Sequence, residues 1–137
     1  MLSPHDVAKE VAKLIEEDHI CYINRSSREI ITFPITAIDT PEIAIQIERL
    51  EEHISRYVKI GPMPSKSLVL GMEYFLAEVT DKDVAKELAR GLKRKNPTRN
   101  FLQAVDSNMD IRSHWRRYKT EHYRWYVEQL MIEAYNH

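Results

Sequence analysis

Positively charged and aromatic side chains alternate over the last part of the sequence. From Arg112 the chain reads Arg-Ser-His-Trp-Arg-Arg-Tyr-Lys, and it continues to Arg124, Trp125 and Tyr126. Cations neutralise phosphates and flat aromatic rings stack on bases, so this composition is typical of a surface that holds a nucleic acid. It also suits an acidic protein partner, or pairing with acidic segments of the same chain. The sequence leaves these three interpretations open.

A denser group of cations lies between residues 90 and 99, where one predicted helix ends and the next begins. Cations at the C-terminus of a helix complement its dipole, which is a purely structural reason for their presence. The residues that could bind a polyanion or a protein partner are Arg90, Lys93, Arg94, Lys95, Arg99, Arg112, Arg116, Arg117 and Arg124, with Trp115 and Trp125 as stacking surfaces.

Helical spacing limits how many of the aromatic rings can be exposed. In the long helix predicted from about residue 110, Trp115 and Tyr118 share a face with Ile111, whereas Arg117 and Arg124 point away from it. We therefore expect most of the rings to be buried. Arg117 and Arg124 each precede a glutamate by four residues, a spacing that predicts ion pairs along the helix.

Glu16, Asp18 and His19 form a second candidate site. Together with Glu17 they crowd negative charge at the end of the first predicted helix, where the helix dipole disfavours it. Residues that depart from such a local preference can indicate a functional site. Carboxylates and an imidazole could hold a divalent cation, although the spacing matches no metal-loop signature. The same residues could instead meet a basic surface.

Few other residues have the spacing that catalysis needs. The three glycines, Gly61, Gly71 and Gly91, are isolated, so no loop resembles those that cradle nucleotide phosphates. Cys21 has no neighbouring base, and no two histidines have the spacing of a zinc-binding helix. The sequence thus points to no cofactor and favours a non-catalytic protein, without excluding an enzyme assembled from distant residues.

The charge of the chain is divided along its length. Residues 1–81 carry 8 Lys and Arg against 14 Asp and Glu, while residues 82–137 carry 12 against 7, so the formal net charge of −1 hides an acidic and a basic part.

The 137 residues have the size of one domain, and we expect a single domain over 1–137. A single cysteine, no secretory signal and no apolar run long enough to cross a bilayer predict a cytoplasmic protein outside the membrane.

Periodicity and turn residues predict an α+β fold. Ser3-Pro4 and Thr40-Pro41 open helices over about 4–17 and 41–55, and further helices follow from Ser65 onward. Thr80 with Asp83 resembles a capping box that opens one of them. The hairpin is predicted over about 20–35 and a short edge strand over about 57–60. The expected result is a helix-rich domain with a small antiparallel sheet and a long C-terminal helix to about residue 135.

Three blocks of residues resemble a bacterial family. They are the hairpin Cys21-Tyr22-Ile23-Asn24 to Glu29-Ile30-Ile31; Arg56-Tyr57, Pro62, Ser65, Met72, Phe75, Val79 and Asp81; and Arg99, Phe101, Trp115, Arg117, Tyr118, Tyr123 and Trp125. On these residues the chain resembles Uncharacterised Protein Family 0158, which implies a small bacterial α+β domain and brings no reaction, cofactor or catalytic residue. Where that family usually has Gly-Lys-Gly and then two phenylalanines, this chain has Arg94-Lys95-Asn96, with Thr98 in place of the first phenylalanine.

Three functions are consistent with these observations. The first is a non-catalytic cytoplasmic interaction module that docks a protein partner or a second copy of itself, and it predicts an exposed apolar patch. The second is a nucleic-acid-binding domain, which predicts that the candidate cations converge on one face. The third is a small metal-dependent protein or enzyme, which predicts that Glu16, Asp18 and His19 point toward one another.

Overall fold

Helix α1, residues Pro4–Glu16, begins where the sequence predicts. The computed structural model of the chain describes residues 3–135, and it places Ser3 at the N-cap, with its hydroxyl accepting a hydrogen bond from the amide of Asp6. Pro4 occupies the first turn, where a missing N–H costs nothing. The later elements are β1 (His19–Asn24), β2 (Ile30–Pro34), α2 (Pro41–Glu52), β3 (Tyr57–Ile60), α3 (Ser65–Leu76), α4 (Lys82–Leu92), α5 (Pro97–Asp106) and α6 (Met109–Tyr135), with short 3-10 turns at Ile35–Ala37 and Ile54–Arg56.

The three strands form one antiparallel sheet in the order β2-β1-β3. In the central strand Tyr22 lies opposite Ile31 on one side and opposite Lys59 on the other. The side chain of Asn24 closes the hairpin turn, because it accepts hydrogen bonds from the amides of Ser26 and Ser27. The predicted hairpin and the predicted edge strand are both confirmed.

Contacts within the chain divide it into two compact units. Unit 1 comprises residues 1–62 and 123–137, and unit 2 comprises residues 63–122. Helix α6 therefore contributes its first half to unit 2 and its second half to unit 1. The α+β class and the long C-terminal helix are confirmed, whereas a single domain over 1–137 stays a prediction. Within residues 3–135 no helix is long and apolar enough to cross a membrane.

Unit 1 buries apolar side chains on both faces of its sheet. Cys21 and Ile23 of β1 pack in one cluster with residues of α1 and of the end of α6, among them Val11 and Val127. Tyr22, between them in sequence, belongs to the cluster that α2 covers. Successive residues of a strand point to opposite faces, so this alternation gives each face of the sheet its own apolar layer.

Unit 2 is built from helices around a cluster of aromatic rings. Phe75 of α3 and Phe101 of α5 each place their ring centroid 5.2 Å from that of Trp115, in edge-to-face geometry. Such pairs add roughly 0.5–1.5 kcal/mol to what area burial alone provides. Leu88 supplies the contribution of α4 to the same cluster. The part of α6 that lies in unit 2 thus completes its core.

One predicted helix cap is wrong by one residue. The N-cap of α4 is Asp81, whose carboxylate accepts hydrogen bonds from the amides of Asp83 at 3.0 Å and Val84 at 3.2 Å. Thr80 therefore does not cap this helix. At α2 the N-cap residue is Thr40 as predicted, but its hydroxyl donates to the carbonyl oxygen of Ala37 instead of accepting from the helix.

Candidate functional site

Five candidate cations are gathered at the junction of α4 and α5, which we call the basic corner: Arg90, Lys93, Arg94, Lys95 and Arg99. All five side chains are exposed. Arg90 donates to the carboxylate of Glu87 at 2.8 Å. The other four form no ion pair with any carboxylate in residues 3–135. The basic corner therefore presents positive charge that the chain itself leaves largely uncompensated.

The turn that carries these cations is fixed by two asparagines. Asn96 takes the left-handed conformation, with φ 60°, and Pro97 then starts α5. The side-chain amide of Asn100 donates to the carbonyl oxygens of Lys95 at 2.7 Å and Asn96 at 3.1 Å. Asparagine tolerates this conformation better than other non-glycine residues, which explains its presence where the family resemblance places a glycine.

Gly91 lets α4 and α5 approach closely beneath the basic corner. A β-carbon on Gly91 would lie 3.0 Å from the backbone carbonyl carbon of Asn100 and 3.1 Å from the amide nitrogen of Phe101. Any larger residue would have to displace the backbone of α5. The backbones of α4 and α5 are consequently in close contact at this point.

The remaining candidate cations lie on α6. Arg112, Arg116 and Arg117 are exposed and belong to unit 2, whereas Arg124 is half-buried and belongs to unit 1. The predicted ion pairs of Arg117 and Arg124 with the glutamates four residues later do not form among the residues that the structure describes. Glu128 instead lies 3.6 Å from the Nδ1 atom of His5.

The two tryptophans differ in accessibility. Trp115 is 4% exposed and packs in the core of unit 2, so its ring cannot serve as the stacking surface that the sequence suggested. Helical spacing places it on the same face of α6 as Tyr118, which packs against the same cluster. Trp125 is 50% exposed and belongs to unit 1.

Glu16, Asp18 and His19 do not come together as a metal-binding group in the part of the chain that the structure describes. The Nδ1 atom of His19 lies 3.1 Å from the hydroxyl of Thr32. The negative charges of Glu16 and Asp18 add to burial in raising the pKa of Tyr123. Among residues 3–135 no group of three or more His, Cys, Asp or Glu side chains could hold a metal ion. The structure thus gives the metal hypothesis no geometric support.

Two buried reactive groups of the sheet are held in their neutral forms. Burial raises the pKa of the Cys21 thiol, which lies 3.5 Å from the hydroxyl of Thr32. Burial, together with a 2.9 Å hydrogen bond to Glu51, raises the pKa of Tyr22 to about 12. A nucleophile or base must be deprotonated to act, so neither group is prepared for catalysis near neutral pH.

A cleft of about 540 Å³ opens in unit 1 between the start of α1, the hairpin turn and the end of α6. We call it the unit 1 cleft, and its lining residues are Pro4, His5, Ala8, Arg28, Glu128, Met131, Ile132 and Tyr135. Ile132 is 56% exposed and Tyr135 is 43% exposed. Large apolar side chains thus stand at the mouth of an open concave surface.

Comparison with known sequences places the chain in a family. The sequence model of an uncharacterised protein family, UPF0158, matches residues 1–136. The chain belongs to this family. The resemblance seen in the three blocks of residues is thereby confirmed. No curated protein and no solved structure matches this UPF0158 chain.

The sequence of this UPF0158 chain contains a signal for the unit 1 cleft. Val127, Met131 and Ala134 mark the face of α6 that packs on the core of unit 1, whereas Ile132 and Tyr135 fall beside that face, three residues apart. Apolar residues next to a stripe that already fills the core indicate a second, exposed apolar surface.

Proposed function

We propose that this UPF0158 chain is a non-catalytic interaction module and that the unit 1 cleft docks a short segment of a protein partner. The observation that carries the proposal is the exposure of Ile132 and Tyr135 beside the buried Met131 in one concave surface. Large apolar side chains that line a cleft are typical of a site that a partner covers.

The charge of unit 1 suggests the chemistry of the partner. Unit 1 carries 8 Lys and Arg against 13 Asp and Glu, so it attracts a cationic segment. Within the cleft itself Glu128 supplies a carboxylate that lies 3.6 Å from the Nδ1 atom of His5, and a cation of the partner would take the place of this exposed contact. The proposed occupant therefore has one large apolar side chain, which enters the cleft, and a Lys or Arg next to it.

A non-catalytic role agrees with the state of the buried reactive groups. Cys21 is fully buried and its pKa is raised, so the thiol is protonated and out of reach of a substrate. The hydroxyl of Tyr22 is committed to Glu51, which also accepts a hydrogen bond from Lys59. The Tyr22 hydroxyl therefore has a structural hydrogen-bonding role between the sheet and α2.

Selection of peptides from a random displayed library tests this proposal. The wild-type protein should enrich sequences that combine a large apolar residue with a neighbouring cation. Ile132→Lys should abolish binding of the enriched peptides, because it removes an apolar contact and places in the cleft a positive charge that repels the cation of the peptide. Ile45→Lys is the matched control, since Ile45 is a similarly exposed isoleucine on α2 of the same unit, outside the cleft. Peptides that bind both variants equally would contradict docking in the cleft.

Nucleic-acid binding by unit 2 is a second candidate, favoured by a separate observation. Unit 2 carries 12 Lys and Arg against 8 Asp and Glu, and it contains eight of the nine candidate cations. Four cations of the basic corner have no carboxylate partner in the part of the chain that the structure describes. Exposed, uncompensated cations are the feature that phosphate backbones recognise.

Fluorescence anisotropy of labelled single-stranded oligonucleotides tests the second candidate. Binding should weaken steeply as the salt concentration rises, because each phosphate contact releases counterions. Changing Lys93, Arg94 and Lys95 to Glu should abolish binding. The matched control changes Lys66, Lys82 and Lys86, which are exposed lysines of unit 2 outside the basic corner, to Glu. Equal losses in both triple variants would mean that net charge, and not the basic corner, determines binding.

A further inference from the structure

A small pocket of about 210 Å³ lies within the basic corner, between α4 and α5. Arg90, Arg94 and Glu87 line it from the side of α4, and Asn100 and Gln103 line it from α5. Gly91 also lines the pocket, at the point where the two helices approach closely. Its lining side chains therefore come from the two helices and, at Arg94, from the turn that joins them.

The chemistry of the lining favours an anion. Two guanidinium groups and one carboxylate line the pocket, so its own ionised side chains carry a net positive charge. The amide nitrogen of Asn100 already donates to two backbone carbonyls, whereas Gln103 has its amide group available as a donor. Arg90 is held by Glu87 only through an exposed ion pair, which is a weak interaction that an incoming dianion can replace.

The volume of the pocket limits the size of the group that it holds. At about 210 Å³ it is smaller than the roughly 300 Å³ at which pockets for drug-sized molecules begin. It is far larger than the roughly 30 Å³ that one water molecule occupies in the liquid. A single phosphate group fits this range, whereas a whole nucleotide must extend beyond the pocket.

We propose that this pocket seats a terminal phosphate group, a phosphomonoester at the end of a nucleic-acid strand. Each guanidinium can bind phosphate through two parallel hydrogen bonds, and Arg90 and Arg94 together carry two positive charges, which match a phosphomonoester better than the single negative charge of an internal phosphodiester. A phosphomonoester offers three free oxygens and nearly two negative charges at neutral pH. This inference rests on nucleic-acid binding by unit 2, and it identifies the chemical group that unit 2 recognises.

Two forms of one oligonucleotide test this inference. A single strand labelled at its 3′ end is titrated with the protein, once with a 5′-phosphate and once with a 5′-hydroxyl. The phosphorylated form should bind about tenfold more tightly, which corresponds to one charge-assisted contact. Arg94→Gln should remove the difference between the two forms. Lys93→Gln, outside the pocket lining, should weaken both forms equally.

Glu87→Gln tests the same inference through an expected gain of affinity instead of a loss. It removes the carboxylate that holds Arg90 and that repels an anion in the pocket. Affinity for the 5′-phosphorylated strand should therefore rise, with little change for the hydroxylated strand. An unchanged preference in this variant, or a preference that persists in Arg94→Gln, would overturn the assignment of the pocket.

The outcomes separate this inference from the function on which it rests. Equal binding of the two strands by the wild type refutes a terminal-phosphate site and leaves nucleic-acid binding in place. If neither strand binds, nucleic-acid binding by unit 2 is refuted. Titration with inorganic pyrophosphate, followed by NMR, then tests whether the pocket itself binds phosphate. Shifts at the Gly91 amide and the Gln103 side chain that vanish in Arg94→Gln support the pocket. Shifts that are absent or spread evenly over all cationic segments overturn it.

Discussion

A β-carbon on Gly71 would lie 2.6 Å from the imidazole ring of His122. The ring cannot move away easily, because His122 is 7% exposed and its Nε2 atom lies 3.1 Å from the carbonyl oxygen of Ser67. It also stacks on Tyr118, with 6.4 Å between centroids. Within unit 2, α3 and α6 therefore meet at a point where only glycine fits.

Gly71→Ala should destabilise the protein despite the better helix propensity of alanine. The clash with a fixed ring is expected to cost about 1–3 kcal/mol, against roughly 1 kcal/mol gained in propensity. Gly61→Ala is the control, since a β-carbon there meets nothing within 4 Å and its φ is not left-handed. Gly61→Ala should leave the free energy of unfolding unchanged or raise it by about 0.4–1 kcal/mol. Urea unfolding measures both, and a Gly71→Ala variant as stable as wild type would contradict the close approach.

Asp81→Ala should destabilise α4, whereas Thr80→Ala should have little effect. Asp81 accepts hydrogen bonds from two amides of the first turn, and losing a helix cap of this kind costs about 1 kcal/mol. Thr80 makes no such contact, although the sequence alone favoured it as the cap. Thermal unfolding of the two variants decides between the residues. A larger effect at Thr80 would restore the original capping prediction.

In Tyr22→Phe the free energy of unfolding should decrease less steeply with pH, at high pH, than in the wild type. The pKa of Tyr22 is raised from its ordinary value near 10 to about 12, so between these values the folded chain retains a proton that the unfolded chain has lost. The stability that this provides is fully present below about pH 10 and is lost as the pH rises through about 12. Phenylalanine has no such proton, so the free energy of unfolding should fall less steeply over this window. Urea unfolding from about pH 9 upward measures it, and parallel declines would refute the shift.

Fluorescence should distinguish the two tryptophans. In Trp125→Phe the remaining Trp115 is buried, so its emission should be blue-shifted and acrylamide should quench it weakly. In Trp115→Phe the remaining Trp125 is half exposed, so quenching should be several times stronger. The second substitution also removes buried ring contacts and should cost about 1–3 kcal/mol. Similar quenching in the two variants would show that Trp115 does not lie in the core.

Elements with strong local signals could be predicted from the sequence. Ser3 and Pro4 set the start of α1 through a cap and a fixed φ, and both interactions lie within one turn. The hairpin was predictable for the same reason, because β-branched residues flank a polar turn that Asn24 closes by itself. The capping residue of α4 was less determined, since Thr80 and Asp81 are adjacent and either side chain could accept from the first turn.

Contacts between distant residues explain what the sequence did not predict. The expected ion pair between Arg124 and Glu128 is worth only about 0.2–0.5 kcal/mol on a helix surface, so a neighbour from another element can replace it. His5 of α1 is such a neighbour of Glu128. Likewise, Gly91 is visible in the sequence, but the backbone of Asn100 that approaches it depends on how α5 packs. The cations of the basic corner were identified from the sequence, and the pocket between them was not.

The division of α6 between the two units has a consequence for the order in which the protein can fold during synthesis. A nascent chain that has emerged as far as residue 122 contains every residue of unit 2. It still lacks Val127 and Met131, which belong to the same core as Val11 and Ile23. Unit 2 can therefore complete its contacts first, while α1 and the sheet keep apolar surface uncovered. Helix α1 and the sheet therefore leave the ribosome before unit 2, yet their core is completed after it.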